Sequence, residues 1–197
     1  MKTIIISGTP GTGKTSVSKL ILKALNAKLI TINELVIKEG LILGYDEIRE
    51  TSIINKRKIL RRIKSLISQY KKDTIKYLII ESHFSDIIPN RYIDYAIVLR
   101  CDPDELFKRL EKRGYRKEKI IENVQSEILG NCANYIINKG LKKPVLEIDT
   151  SCKKVEDIAK IVVDLIVLRI DRRGYEIGKI DWLEKLYYKN RLKKYFD

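Results

Sequence analysis

The sequence predicts an α/β fold, a parallel sheet with helices on both faces. Three observations carry this expectation. Short β-branched runs alternate with amphipathic stretches in a βαβα order. The strand candidates are continuous apolar runs rather than alternating ones, as strands covered on both faces are. The first of them passes directly into a glycine-rich loop and then a helix. The strand candidates are residues 3–7, 28–30, 77–81, 94–99 and 145–148, which makes the sheet five-stranded.

Taken in order, residues 3–7 lead into Gly8-Thr9-Pro10-Gly11-Thr12-Gly13-Lys14-Thr15, and a helix follows over 16–25 with Val17, Leu20, Ile21 and Leu25 at helical spacing. The eight residues fit G-x-x-x-x-G-K-[ST], a phosphate-binding loop. Strand, glycine loop and helix is the arrangement that chemistry needs. Gly11 and Gly13 let the backbone approach phosphate closely. The N–H groups of the loop and of the helix start point at the anion. Lys14 reaches the β/γ-phosphates, and the Thr15 hydroxyl is placed to ligate Mg²⁺.

Further on, a helix is expected over about 55–70. Ile59, Ile63, Leu66, Ile67 and Tyr70 form one face and basic residues the other. Asp102-Pro103-Asp104 reads as a helix start, with Asp102 as N-cap, and that helix is expected to run to about 113 and stop at Gly114. A long helix over about 118–138 and another over 155–170 complete the body. After Gly174 the chain changes character. The segment 181–188 and the basic run 189–194 read as one appended helix, with Trp182, Leu186 and Tyr187 able to form an apolar stripe. Packing onto the body and docking to RNA or protein are both open for it.

The chain has 197 residues, 44% of them hydrophobic and 34% charged, which describes one globular domain of useful core size. No segment approaches the roughly 20 apolar residues of a membrane span. The first strand begins at once, leaving no room for a signal peptide. The three cysteines, Cys101, Cys132 and Cys152, lack C-x-x-C spacing and read as reduced thiols of a cytoplasmic protein. The formal charge of +14 favours polyanionic partners, RNA first. An Ile/Lys-rich composition that loads solvated faces with charge would give the same number. Between Thr51 and Lys72 there is no acid, whereas Lys56, Arg57, Lys58, Arg61, Arg62, Lys64, Lys71 and Lys72 are basic.

Two groups of residues are candidates for chemistry. The strand 77–81 ends in Glu81, where an acid beside the phosphate loop holds Mg²⁺. His83, the only histidine, follows at the carboxyl edge of the sheet, where open α/β folds bind ligands. Asp86 is a second acid in that loop. The other group is Arg109, Arg113 and Arg116, on a segment able to close over ATP and stabilise charge on a transferring phosphoryl group. An exposed arginine helix paired with Glu105 and Glu111 is the plainer alternative.

Several runs occur in a telling order: the phosphate loop, Gly44-Tyr45-Asp46-Glu47 as a turn, Ile80-Glu81-Ser82-His83 with Asp86 and Pro89, Val98-Leu99-Arg100, Arg109-Leu110-Glu111-Lys112-Arg113-Gly114-Tyr115, and Asn123-Val124-Gln125-Ser126-Glu127-Ile128. Over about residues 1–170 the chain resembles the atypical adenylate kinase family, the group of the coilin-interacting nuclear ATPase and its archaeal relatives. The resemblance implies a P-loop NTPase of adenylate kinase-like fold. It implies a domain over 1–170, with a monophosphate-binding segment at 31–54 and a short lid at 112–122, and a basic aromatic extension over 171–197. It implies broad-specificity nucleoside monophosphate kinase activity with ATP and Mg²⁺, together with ATP hydrolysis. It also implies a role in late small-subunit ribosome maturation and 16S rRNA processing, with ribosomal protein uS11 and rRNA of the small subunit as partners.

Residue by residue, Gly11, Thr12, Gly13, Lys14, Thr15 and Ser16 match the ATP loop. Arg113 matches the lid arginine on ATP, with Arg109 one helical turn before it, and His83 matches the histidine of the strand-end motif. Lys14, His83, Arg113 and Arg109 are thus the catalytic candidates, and Thr15 with Glu81 the metal candidates. Two positions depart from the pattern: the family's aspartate is Glu81 here, and its arginine in the monophosphate segment falls at Ile37, beside Lys38. Two other readings fit the same loop: an ATP-switched assembly factor that binds uS11 with little kinase flux, and a kinase of another small substrate.

Overall fold

A computed structural model describes residues 1–47, 51–83 and 87–196. Along the chain the elements are β1 (Lys2–Ser7), α1 (Lys14–Ala24), β2 (Ala27–Thr31), α2 (Ile32–Lys38), β3 (Ile42–Asp46), β4 (Thr51–Ile54), α3 (Lys56–Tyr70), β5 (Tyr77–Glu81), β6 (Tyr95–Arg100), α4 (Pro103–Glu111), α5 (Lys117–Ile128), α6 (Asn131–Asn138), β7 (Val145–Asp149), α7 (Val155–Ile166), α8 (Trp182–Tyr188) and α9 (Lys193–Phe196). The α/β fold expected from the apolar runs is the one observed. Five strands form one parallel sheet in the order β2-β5-β1-β6-β7, and β3 with β4 makes a separate antiparallel hairpin.

The sheet is buried on both faces because its strands carry apolar side chains on both. Ile4, Ile6, Ile79, Ile97, Leu99 and Ile148 face α1 and α7, where they meet Val17, Ile21, Val162 and Ile166. Ile5, Leu78, Ile80, Ala96 and Val98 point the other way, towards Ile59 and Ile63 of α3 and Ile136 of α6. A third cluster lies off the sheet and joins α4 and α5 to the tail: Leu106, Leu110, Ile120, Val124, Ile128, Leu186 and Tyr195.

Several expected boundaries hold. Asn55 caps α3 through its side chain, and the Asp102 carboxylate accepts from the N–H groups of Asp104 and Glu105, 3.0 and 3.4 Å away. Others are corrected. The single helix expected over 118–138 is two helices, because Gly130 sits at φ +64° and turns the chain between α5 and α6. The helix expected over 155–170 ends at Ile166, and Leu168 turns left-handed at φ 62°. The tail is two short helices rather than one, broken where Asn190 adopts φ 52°. Its buried stripe is Trp182, Leu186 and Tyr195, whereas Tyr187 is 66% exposed. The Gly44-Tyr45-Asp46-Glu47 turn is largely strand: Gly44–Asp46 belong to β3. Among the described residues no helix is long and apolar enough to cross a membrane.

Candidate functional site

The parallel sheet brings the carboxyl ends of β1, β2 and β5 to one edge. Ile6 and Thr31 are both in register with Glu81, so the phosphate loop after β1, the Thr31 hydroxyl and the Glu81 carboxylate converge. The loop's shape rests on its glycines. Gly8, Gly11 and Gly13 have φ values of 144°, 95° and 93°, a region L side chains rarely adopt. A Cβ on Gly8 would lie 2.4 Å from the Leu99 carbonyl oxygen, and one on Gly11 2.7 Å from Leu106 Cδ1. At Gly13 the same atom would meet nothing within 4 Å, so that side of the loop is open.

Lys14 is buried and donates from Nζ to the Thr9 carbonyl at 3.1 Å. The Thr12 hydroxyl donates to that oxygen at 2.9 Å. Burial lowers the Lys14 pKa, against the opposing pull of Cys132, Glu81 and Glu127. Thr15 Oγ1 donates to Glu81 Oε1 at 2.8 Å, and Thr31 Oγ1 lies 3.5 Å from Glu81 Oε2. This is a hard oxygen donor set. A Mg²⁺ ion, which takes one or two protein oxygens and completes its shell with water and phosphate, fits Thr15 and Glu81.

Two clefts border the loop, and another adjoins the central one. The central one is lined by Gly11, Gly13, Lys14, Thr15, Ser16, Glu81, His83 and Arg113, among others. On the hairpin side a second cleft is lined by Val36, Ile37, Ile42, Tyr45, Thr51 and Ile54, and shares Asn33 and His83 with the first. On the far side a third lies between Gly11, Gly13, Arg109, Arg113, Lys153 and Ile158. The structure therefore gathers Lys14, Thr15, Glu81, His83 and Arg113 about one cavity. Arg109 lines the third cleft, donating to Glu105 Oε1 at 2.5 Å, to the Thr150 carbonyl at 2.9 Å and, at 3.5 Å, to the Gly11 carbonyl of the loop. Ile37, at the arginine position of the family pattern, is 73% exposed and lines the second cleft. Asp86 lies outside the described residues.

Reasoning from residue types missed a buried polar cluster behind the loop. Arg100 donates from Nε to Glu127 Oε1 at 2.7 Å and from Nη1 to Glu147 Oε1 at 2.6 Å. Burial would lower the Arg100 pKa, but the two carboxylates overcome it and hold it raised. Glu127 Oε2 accepts from the Thr9 hydroxyl at 2.5 Å, and its Oε1 accepts from the Trp182 indole N–H at 3.2 Å. A charged residue inside an otherwise apolar stretch, as Glu147 is in Val145-Leu146-Glu147-Ile148, was the available signal.

Residues 4–130 match the family model described as an AAA domain. The chain is 37% identical over 184 residues to the protein named "Putative adenylate kinase" of Methanocaldococcus jannaschii, covering 93% of this chain and 94% of that one. Proteins of the same name from Methanosarcina acetivorans and Saccharolobus islandicus are 36% and 33% identical, covering 92% and 90% of this chain and 97% and 95% of theirs. A span of 93% leaves too few residues unmatched to omit the whole segment after Ile170, so part of that segment has a counterpart in the relative.

Proposed function

This chain belongs to the atypical adenylate kinase family, and from that premise we propose that it moves the γ-phosphoryl group of ATP to a nucleoside monophosphate, AMP first among a broad set, to give ADP from both. The observation that carries the proposal is the sharing of Asn33 and His83 between the cavity around Lys14 and the cleft under the β3–β4 hairpin. Two nucleotides seated in those clefts would meet phosphate to phosphate beside His83.

The roles follow from charge and position. ATP lies with its phosphates on the loop from Gly11 to Ser16, including the Thr12 and Gly13 amides, and its nucleoside in the third cleft beside Arg109. Lys14 Nζ keeps one N–H on the Thr9 carbonyl and turns its other donors to the β/γ-phosphates. Arg113, on the short lid segment 112–122, adds a second cation as charge spreads over the equatorial oxygens. The monophosphate lies under the segment 31–54, its phosphate beside His83, in line with the γ-phosphorus. Its attacking oxygen is already anionic, so catalysis is positioning and charge stabilisation rather than base chemistry. Thr15 and Glu81 would hold Mg²⁺, which would supply charge neutralisation for the phosphates. With the second cleft empty, water can take the acceptor's place, which is the ATP hydrolysis included in this proposal.

The wider role we assign is cytoplasmic, in late small-subunit maturation and 16S rRNA processing through uS11. Its support is the solvent-facing row Lys56, Arg57, Lys58, Arg61, Lys71 and Lys72 on and beside α3, which suits a polyanion. That row also favours a second reading, an assembly factor whose affinity for uS11 or rRNA is switched by ATP.

A panel of nucleoside monophosphates with ATP, run with and without uS11 and with products separated by chromatography, tests both. The kinase reading expects AMP-dependent ADP formation, two ADP per AMP consumed. Hydrolysis indifferent to every monophosphate but stimulated by uS11 would replace it with the switch.

A further inference from the structure

The run Asn123-Val124-Gln125-Ser126-Glu127-Ile128 and the C-terminal segment meet behind the phosphate loop, in contacts that phosphate binding alone does not require. Glu127 is 1% exposed. Its Oε1 accepts from Arg100 Nε at 2.7 Å, from the Cys101 N–H at 3.1 Å and from the Trp182 indole N–H at 3.2 Å. Its Oε2 accepts from the Thr9 hydroxyl at 2.5 Å. Thr9 in turn presents the carbonyl on which Lys14 Nζ rests. One carboxylate thus fixes the side chain of the residue whose backbone holds the loop lysine.

The C-terminal segment reaches the loop by a second route. Leu186 and Tyr195 are buried against Leu106 and Leu110 of α4 and against Ile120 and Val124 of α5. Gly11 packs on those same two α4 leucines, at distances only a missing Cβ permits. The segment is tied down at its far end as well. Gln125 Nε2 donates to the Tyr195 carbonyl at 2.6 Å, and Asp104 pairs with Lys194 at 2.6 Å and with Arg191. Between α4 and α5 lies the loop that carries Arg113.

We propose that Glu127 is a positioning residue for phosphoryl transfer, acting on Lys14 through Thr9, and that the Trp182 indole of the C-terminal segment holds its carboxylate in place. This rests on the kinase reading only in so far as ATP sits on the phosphate loop; it does not depend on the acceptor. A carboxylate with four hydrogen-bond partners is held in one orientation. Releasing Thr9 lets its carbonyl turn and frees Lys14 from the position in which it meets phosphate.

Three variants and one native probe test this. Thr9→Val removes the hydroxyl at nearly constant shape, Thr9→Ser keeps it, and Trp182→Phe keeps the buried ring but loses the N–H. Calorimetric titration with a non-hydrolysable ATP analogue, with Mg²⁺ present, should show affinity about tenfold weaker for Thr9→Val, and a smaller loss of about threefold for Trp182→Phe. Thr9→Ser should restore it to within about twofold of the parent. Turnover should show kcat/KM for ATP falling with KM for AMP unchanged. Trp182 is the only tryptophan, so its emission should shift on analogue binding in the parent and not in Thr9→Val. A folded Thr9→Val with parental affinity overturns the proposal while leaving the ATP site intact. If that variant does not fold, Trp182→Phe decides, and parental affinity and parental kcat/KM there overturn it. A parent chain that binds no analogue overturns both the proposal and the kinase reading.

Discussion

Thr15 Oγ1 lies 2.8 Å from Glu81 Oε1, joining the first turn of α1 to the end of β5 across 66 residues of sequence. The pair sets one hydroxyl and one carboxylate side by side, and the long glutamate side chain reaches the hydroxyl directly. Glu81→Gln should raise the Mg²⁺ concentration needed for half-maximal rate by about ten- to a hundredfold, whereas Glu81→Asp should remain close to the parent. Initial rates across a Mg²⁺ titration check this. An unchanged Mg²⁺ requirement in Glu81→Gln would remove that residue from the site.

Lys14 carries a desolvation cost. Burial lowers its pKa below the usual 10.5. Between the folded and unfolded values the unfolded chain binds more protons, so this site's contribution to stability rises as pH climbs through that window. Below the window the cost of charging the buried amine is fully present. Lys14→Met should therefore raise the nucleotide-free Tm at pH 7, by about 2–4 °C, and the gain should shrink towards pH 10. The same variant should lose turnover and the ATP-induced Tm shift. Thermal scans at several pH values, with and without ATP, settle both parts. Retained ATP:AMP transfer would contradict the role given to Lys14.

Two loop glycines should respond differently to alanine. At Gly11 the new Cβ meets Leu106 Cδ1 at 2.7 Å and Leu110 Cδ2 at 3.0 Å, and φ is +95°. Gly11→Ala should lower stability by about 2–3 kcal/mol, from backbone strain and forced repacking of α4 together. Gly13→Ala has open space and bears only the strain, about 1 kcal/mol. Urea denaturation of both measures the difference. Equal losses would mean that α4 yields without cost.

Arg100 lies between two buried carboxylates, 2.7 Å from Glu127 and 2.6 Å from Glu147. Arg100→Met leaves both acids unpaired and should cost about 3–5 kcal/mol at pH 8. Urea denaturation of the variant measures the loss, and a loss under about 1 kcal/mol would mean that the two acids find other partners.

The cysteines offer a check on packing. Burial pushes the Cys101 thiol up to about 12 and also raises Cys132, and both are buried. Cys152 is exposed, and the Glu105 carboxylate beside it raises its pKa. Iodoacetamide at pH 8 should label one thiol in the folded protein and all three after unfolding, and Glu105→Gln should speed the first reaction. Mass spectrometry of labelled peptides reads the outcome. Rapid labelling of Cys132 would mean that the region behind the phosphate loop opens.

Much of this was legible in the chain. The motif from Gly8 to Thr15 was readable because its chemistry is local: backbone N–H groups, a positive φ and a lysine within one turn. Strands such as Tyr77–Glu81 were readable because burial on both faces demands an unbroken apolar run. The division of the long helical stretch was not, since Asn131 to Asn138 continues the helical spacing and only Gly130 at φ +64° turns it away. The β3–β4 hairpin was also hidden, because its half-exposed, irregular strands lack both a strict alternation and a continuous apolar run.

The sequence by itself determined a phosphate loop, because its chemistry is local, and a parallel sheet, because the βαβα order of its apolar runs requires one. Tertiary structure alone decided which distant residues serve that loop. It set Arg113 in the central cavity and tied Arg109 to Glu105 and Thr150. It laid Trp182 on Glu127 and Glu127 on Thr9. Those choices depend on where helices pack once the sheet is covered, and a buried charge shows its partner only when the chain has closed around it.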